Sequence, residues 1–129
     1  MKIKHCFAMV CFLAVNLLKA ADQKPITFVQ VGEERLPVFA AKDTKTFVME
    51  KPEYPKEEKE RRVDGVAQLV VVVNNEGKVV DVQVKHSSPG AAFGEAAKAA
   101  MLKSRYRKMK WDGKPTGFIV SQAIRFHVN

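Results

Sequence analysis

Cysteine is scarce in this chain and is confined to its first residues. The 129 residues contain two cysteines, Cys6 and Cys11. If the N-terminal segment is removed on export, as argued next, the remaining protein has no thiol. We therefore expect no disulfide bond, no thiolate metal site and no cysteine nucleophile in the mature protein. Its stability must then come from a single hydrophobic core, which a domain of this size can form.

Long hydrophobic runs are also missing, apart from one near the N-terminus. Residues 6–18 are apolar except for Asn16, and these 13 positions are fewer than the roughly 20 that a membrane-spanning helix needs. A basic stretch at residues 2–5 precedes the run and Leu18-Lys19-Ala20 ends it, which is the pattern of a secretory signal peptide. We predict a signal peptide over residues 1–20, cleaved after Ala20. A retained anchor and a buried N-terminal helix are the alternatives.

Negative charge is in the minority. Lysine and arginine number 22 against 14 acidic residues, which gives a net charge of +8. Removal of residues 1–20 takes away three lysines and no acid, and it leaves 109 residues with a net charge of +5. A charge of this size fits attraction to an anionic membrane face or to cell-wall polymers. A secretory signal argues against nucleic acid as a partner.

Residues that carry out chemistry are few. After removal of residues 1–20 the histidines are His86 and His127, and two histidines on strand ends do not make a metal site without further ligands. Asp64 and Asp81 are not paired in a way that implies acid–base catalysis. No glycine-rich phosphate loop is present. The sequence therefore predicts a binding protein rather than an enzyme, with no catalytic residue, no metal and no cofactor.

Residues 21–53 have a mixed pattern. Residues 26–31 and 46–49 have the composition of short strands, whereas residues 32–35 between them look solvated. Three prolines punctuate the stretch. We interpret residues 21–49 as an extended linker segment that leans on a domain formed by residues 50–129. A flexible linker with no role of its own is the alternative.

From Tyr54 onward the pattern is regular. Pro55 is suited to the start of a helix. An apolar run at 66–73 has the composition of a strand covered on both faces, or of a central strand. The polar residues 74–78 with a late glycine predict a hairpin turn. Further elements are an alternating strand at 79–86, a helix that starts at Ser88-Pro89 and presents an apolar stripe over 91–105, and a strand at 118–128. This order predicts a small α+β fold.

These elements carry motifs that resemble the TonB C-terminal domain family over roughly residues 50–129. The motifs are Tyr54-Pro55, Gly65-Val66-Ala67-Gln68-Leu69-Val70, Asn75-Glu76-Gly77-Lys78-Val79, Val84-Lys85-His86-Ser87-Ser88, Phe93-Gly94-Glu95-Ala96-Ala97, Tyr106-Arg107, Gly113-Lys114-Pro115 and Ile124-Arg125-Phe126. Each motif alone is weakly specific, but the set in this order is fairly specific.

The resemblance implies a fold and a function. It implies a three-stranded antiparallel sheet packed against two helices, located in the periplasm of Gram-negative bacteria. Such a domain binds the TonB box, a short extended segment of outer-membrane receptors, and takes part in energy-coupled transport. The whole transducer in this family also meets the ExbB–ExbD motor complex in the inner membrane.

Two departures from the family concern the motor-facing end. Residues 1–20 contain no serine, so they lack the serine and histidine, four apart, that couple the family's membrane helix to the motor. The long spacer rich in Pro-Lys and Pro-Glu is also missing. Any role of ExbB–ExbD is therefore expected to be indirect. The alternative function is a periplasmic interaction or structural module that reuses the fold without energy transduction.

The expected binding surface follows from the expected strand order. If 66–73 is the central strand, flanked by 79–86 and 118–128, then 118–128 lies at an edge and can pair with an added strand. We expect a receptor peptide along this edge, with Tyr106 and Trp111 covering one end. The alternative is that residues 21–53 or a second copy, as in a homodimer, cover it. The predicted binding residues are Ile119, Ser121, Gln122, Ala123, Arg125 and His127.

Overall fold

Nine strands and two α-helices follow one another in residues 24–129, the part of the chain that this computed structural model describes. A short 3-10 turn spans Ala41–Asp43. The elements are β1 (Thr27–Val31), β2 (Glu34–Phe39), β3 (Thr46–Val48), α1 (Lys56–Glu60), β4 (Gly65–Val73), β5 (Val79–Ser88), α2 (Ala92–Lys103), β6 (Arg105–Tyr106), β7 (Met109–Trp111), β8 (Lys114–Thr116) and β9 (Phe118–Phe126).

The main sheet has five strands in the order β1-β2-β9-β4-β5. β4 lies between β5 and β9 and is antiparallel to both, so the prediction that this strand has neighbours on both sides is confirmed. Its pairing with β9 runs without a register shift from Gly65 opposite Phe126 to Val73 opposite Phe118. The predicted α+β class is confirmed, but the expected three-stranded sheet is wrong in strand number because β1 and β2 extend it.

The two faces of β4 differ in burial. Ala67, Leu69, Val71 and Val73 are fully buried on the face that α2 covers. On the opposite face the valines are half-buried and Gln68 is exposed. Of the two interpretations of this run, a central strand is therefore confirmed, whereas a strand covered on both faces is not. The β-branched composition reflects the preference of such residues for strands as well as burial.

The β4–β5 turn requires its glycine. The Asn74 side chain accepts hydrogen bonds from the backbone N–H groups of Glu76 and Lys78, at 3.0 and 2.9 Å. Gly77 has φ +87°, and a Cβ atom there would lie 2.2 Å from the carbonyl oxygen of Tyr106. The hairpin is thus specified by a polar side chain and by a position where only glycine fits.

The predicted apolar stripe of α2 is buried against the sheet. Phe93, Ala97 and Met101 are fully buried, and Gly94 allows close approach because a Cβ atom there would lie 2.8 Å from Val84. The predicted start of this helix at Ser88-Pro89 is wrong. β5 continues to Ser88, and the helix begins at Ala92 with no side-chain cap.

The neighbouring serine explains the later helix start. The Ser87 hydroxyl accepts a hydrogen bond from the N–H of Gly94 at 2.9 Å and donates to the carbonyl of Gly90. This side chain therefore holds the loop between β5 and α2 and satisfies one N–H in the first turn of the helix.

The segment before α1 contributes more to the sheet than its sequence pattern indicates. The strands predicted near 26–31 and 46–49 are present as β1 and β3, but β2 was not predicted, because residues 32–35 at its start look solvated. Its later residues are buried: Pro37 and Phe39 lie in the core, where the rings of Phe39 and Phe118 meet edge to face at 5.9 Å. The boundary between a linker at 21–49 and a domain at 50–129 stays a prediction.

The predicted signal peptide lies outside the described residues. Within residues 24–129, neither helix is long and apolar enough to cross a membrane.

Candidate functional site: the outer edge of β9

The backbone N–H and C=O groups of successive residues of β9 point alternately toward β4 and away from it. Asn74 donates its N–H to the carbonyl of Lys78 at 2.9 Å, so Asn74 faces β5. Since successive residues of a strand point their N–H and C=O groups to opposite sides, Leu69 and Val71 face β9. Their partners Gln122 and Val120 therefore face β4. The intervening residues of β9 point their backbone groups to the other side, which we call the outer edge: Ile119, Ser121, Ala123 and Arg125.

β2 covers only the beginning of this outer edge. It runs parallel to β9 and pairs Val38 with Ile119 and Phe39 with Val120. Val38 accepts a hydrogen bond from the N–H of Ile26 at 2.7 Å, which turns Val38 toward β1 and leaves Phe39 facing β9. After Phe39 the chain leaves the sheet through the 3-10 turn. The expectation of an open edge from Ile119 onward is therefore wrong at Ile119, since residues of the N-terminal segment occupy that part.

In a parallel pair of this register, Phe39 donates its N–H to the carbonyl of Ile119 and accepts the N–H of Ser121. From the carbonyl of Ser121 onward, the outer edge has no strand beside it among the described residues. Ser121, Ala123 and Arg125 are exposed on the sheet face opposite α2. The guanidinium of Arg125 has no carboxylate within ion-pair distance in residues 24–129. Three of the predicted binding residues are thus brought together as an exposed row beside unpaired backbone groups.

Gln122, the remaining predicted binding residue of β9, shares the face of Val120 and Ile124. Its side chain is on the core side, half-buried, with Oε1 3.4 Å from the Tyr106 hydroxyl. Tyr106 is almost fully buried and its ring meets Phe118 edge to face at 5.9 Å. Burial raises the pKa of Tyr106 to about 12, so its hydroxyl stays protonated as a donor at neutral pH. These two residues flank the edge from the core side.

His127 is attached to the body of the domain. Its Nδ1 lies 2.9 Å from a carboxylate oxygen of Asp64, and the other oxygen of Asp64 accepts the N–H of Val128 at 2.9 Å. The hydrogen bond from Val128, followed by that from His127, holds the pKa of Asp64 below its ordinary value. Arg62 donates to the carbonyl of Asn129 at 2.9 Å. The edge therefore ends at a C-terminal segment that Asp64 and Arg62 hold in place.

The two aromatic residues predicted to cover one end have separate contacts. Tyr106 lies beside Gln122, as described above. Trp111 instead meets Phe28 of β1 at 6.0 Å between ring centroids, and Arg35 lies 5.1 Å over the same Phe28 ring. Trp111 thus joins the β7–β8 hairpin to the β1–β2 hairpin.

Sequence reasoning missed two contributors to this site. Phe39 sets where the edge opens, and the apolar run 36–39 was the available signal for it. Asp64 sets where the edge ends through its contacts with His127 and Val128, and no local pattern in the sequence indicates these contacts. Within residues 24–129, no three His, Cys, Asp or Glu side chains lie close enough to hold a metal ion.

Comparisons with known proteins agree on one family. Residues 50–128 match the family described as Gram-negative bacterial TonB protein C-terminal. Protein TonB of Pseudomonas aeruginosa is 29% identical over 72 residues, which are 56% of this chain and 21% of that protein. The chain therefore spans about a fifth of the length of this relative.

Two solved structures share the fold. The solution NMR structure of the Pseudomonas aeruginosa TonB CTD has a TM-score of 0.59 at 24% identity and covers 70% of this chain and 93% of that chain. The TonB2 protein from Vibrio anguillarum has a TM-score of 0.50 at 23% identity, with 83% and 95% covered. The five-stranded arrangement described above thus contains a TonB-type C-terminal fold.

Proposed function

Because the chain belongs to the family of Gram-negative bacterial TonB C-terminal domains, we propose that it binds an extended segment of an outer-membrane receptor and takes part in energy-coupled transport. The binding site is the open part of the outer edge of β9, from the carbonyl of Ser121 to Arg125. We place the protein in the periplasm after cleavage of residues 1–20, and its role is binding rather than catalysis. Any link to ExbB–ExbD is indirect.

The observation that carries this proposal is the change of neighbour along β9. One side of the strand is paired with β4 over its full length, whereas β2 pairs only with Ile119 and Val120 on the other side. Backbone N–H and C=O groups that lack a strand partner are a template for strand addition. In that mode main-chain hydrogen bonds supply affinity and side-chain contacts supply selectivity.

The two ends of the open edge limit the length of the peptide segment that can pair with it. β2 and the 3-10 turn at Ala41–Asp43 stop an added strand at one end, and the His127–Asp64 contact stops it at the other. A peptide would therefore pair over about five residues, opposite Ser121 to Arg125. Ser121 and Ala123 are small and leave room for its side chains, while Arg125 favours a peptide carboxylate near the C-terminal end of β9.

A pair of proline variants tests the edge directly. Proline removes a backbone N–H, and that of Ala123 points outward. Ala123→Pro should abolish calorimetric binding of a receptor-derived TonB-box peptide while circular dichroism still shows a folded domain. Ala123→Val is the matched control, because it changes the side chain and keeps the N–H, so it should retain most of the affinity.

The outcome also separates this function from the alternative. Unchanged affinity in a folded Ala123→Pro variant would rule out this edge as the binding site. A wild-type domain that is folded but binds no receptor peptide would contradict receptor coupling and favour an interaction module that reuses the fold.

A further inference from the structure

A second surface, on the exposed side of β6, carries several positive charges. β6 lies between two other chain segments: β3 pairs with it through Thr46 opposite Tyr106, and Lys78 forms a bridge with Arg105. The N–H of Arg107 donates to the carbonyl of Lys45 at 2.7 Å. These backbone contacts bring four basic residues together, which we call the basic cluster: Lys45, Lys78, Arg105 and Arg107.

The side chains of the basic cluster share the outer face of this small arrangement. Tyr106 is buried, so Arg105 and Arg107 on either side of it point outward, as strand alternation requires. Residues directly opposite one another share a face, which places Lys78 beside Arg105 and Lys45 beside Arg107. All four side chains are exposed.

No carboxylate lies within ion-pair distance of the basic cluster in the described part of the chain. The ion pairs found in residues 24–129 join Arg61 to Glu58 and His127 to Asp64, and none involves these four cations. Like charges placed opposite each other across strands are destabilising. The arrangement therefore has a cost in the isolated domain, and an external anion would remove it.

Exposed apolar side chains adjoin the cations and indicate which kind of anionic partner fits. Val48 lies opposite Arg105, and Val48 and Met49 are each 45% exposed. A basic surface that also presents aliphatic side chains matches the boundary between lipid headgroups and acyl chains. Nucleic acid would instead favour aromatic side chains for base stacking, whereas Val48 and Met49 are aliphatic.

We propose that the basic cluster, with Val48 and Met49, binds the surface of a membrane that contains anionic phospholipids. The guanidinium groups of Arg105 and Arg107 bind lipid phosphates, and the lysines add attraction over a wider area. This contact holds the domain against a membrane while the outer edge of β9 binds its peptide.

The test is co-sedimentation of the purified protein with phosphatidylcholine vesicles, with and without one third phosphatidylglycerol, at physiological ionic strength. Binding should require phosphatidylglycerol. Each cation near an anionic surface contributes roughly fivefold to partitioning, so replacing all four residues of the basic cluster by glutamine should reduce it by about a hundredfold or more. Met49→Ser should cause a smaller loss that persists when salt is raised.

A variant with the same net charge is the control. In this control, four exposed lysines outside the basic cluster are replaced by glutamine: Lys56, Lys59, Lys85 and Lys98. Its partitioning to the anionic vesicles should stay within about threefold of that of wild type. Equal losses in the two variants would overturn the proposal in favour of attraction by net charge alone. Wild-type protein that binds soluble polyglutamate as strongly as it binds the anionic vesicles would overturn it in favour of an acidic polymer. Ala123→Pro should leave vesicle binding unchanged, which separates this surface from the peptide site.

Discussion

The two ends of β9 differ in their neighbours. At Ile119 and Val120 the strand has β4 on one side and β2 on the other, and both residues are buried. From Ser121 to Arg125 it has β4 alone, and exposed residues alternate with covered ones. The open edge of β9 therefore begins where the adjacent segment ends. Here that segment is β2, whose course depends on Phe39 fitting into the core.

The largest effect should come from a charge introduced at the paired end. Val71 is fully buried opposite Val120, so Val71→Asp should lower the free energy of unfolding by about 4 kcal/mol, since a buried unpaired charge is among the most damaging changes. Ser121→Asp, which places the same group on the exposed part of β9, should cost less than about 0.5 kcal/mol. Urea unfolding measures both. Similar midpoints for the two variants would mean that the two ends of β9 do not differ.

Removing the anchor of β2 should have the next largest effect. Phe39 is fully buried and contacts Phe118, so Phe39→Ala should cost about 3 kcal/mol. Val29→Ala, on the exposed β1 strand, should cost much less because that side chain is 42% exposed. A Phe39→Ala protein as stable as wild type would show that the β1–β2 hairpin is not part of the folded unit.

Proline at two adjacent positions of β9 should destabilise the domain to different degrees, because the two N–H groups point to opposite sides of the strand. The N–H of Gln122 faces Leu69 in β4, so Gln122→Pro should cost roughly 2 kcal/mol or more by leaving a buried carbonyl unpaired. Ala123→Pro should cost less, because its N–H has no strand partner. Thermal unfolding, monitored by circular dichroism, measures which of the two variants is less stable. The reverse order would mean that the assignment of the outer edge is wrong.

The smallest effect concerns the C-terminal limit of the edge. Folding lowers the pKa of Asp64, so its contacts stabilise the folded state above the ordinary carboxylate pKa and are lost as pH falls through the lowered value. The amide resonance of Val128 should titrate with a midpoint below that of a free aspartate. In Asp64→Asn this titration should disappear while the core resonances stay unchanged. A Val128 amide that is insensitive to pH in wild type would contradict the contact.

Much of the fold could be predicted from the sequence, because local patterns decide much of it. The glycine turn at 77 and the apolar stripe of α2 each express one physical requirement within a few residues. The alternation in β5 predicted the strand but not its burial, since Val82 is buried whereas Val80 and Val84 are 53% and 38% exposed. The helix start could not be located because Ser87, seven residues before Gly94, provides the polar contact in place of a local cap. β2 was not predicted because its first residues are polar, although the residues that follow them, up to Phe39, are apolar.

The candidate site could be predicted only in part, because an edge depends on what lies beside it. Ser121, Ala123 and Arg125 could be placed on one face from alternation alone. That Ile119 is covered depends on Val38, about eighty residues earlier in the chain, and that His127 is attached depends on Asp64. Such long-range contacts leave no periodic signal in the residues of β9.

Strand addition at the outer edge can be tested by amide hydrogen exchange along β9, measured with and without a TonB-box peptide. In the free protein the amides of Gln122 and Ile124, which face β4, should be protected, whereas those of Ala123 and Arg125 should exchange rapidly. Bound peptide should slow exchange at Ala123 and Arg125 and leave Gln122 and Ile124 as they were. Peptide that binds while Ala123 and Arg125 continue to exchange at the rates of the free protein would contradict strand addition at this edge.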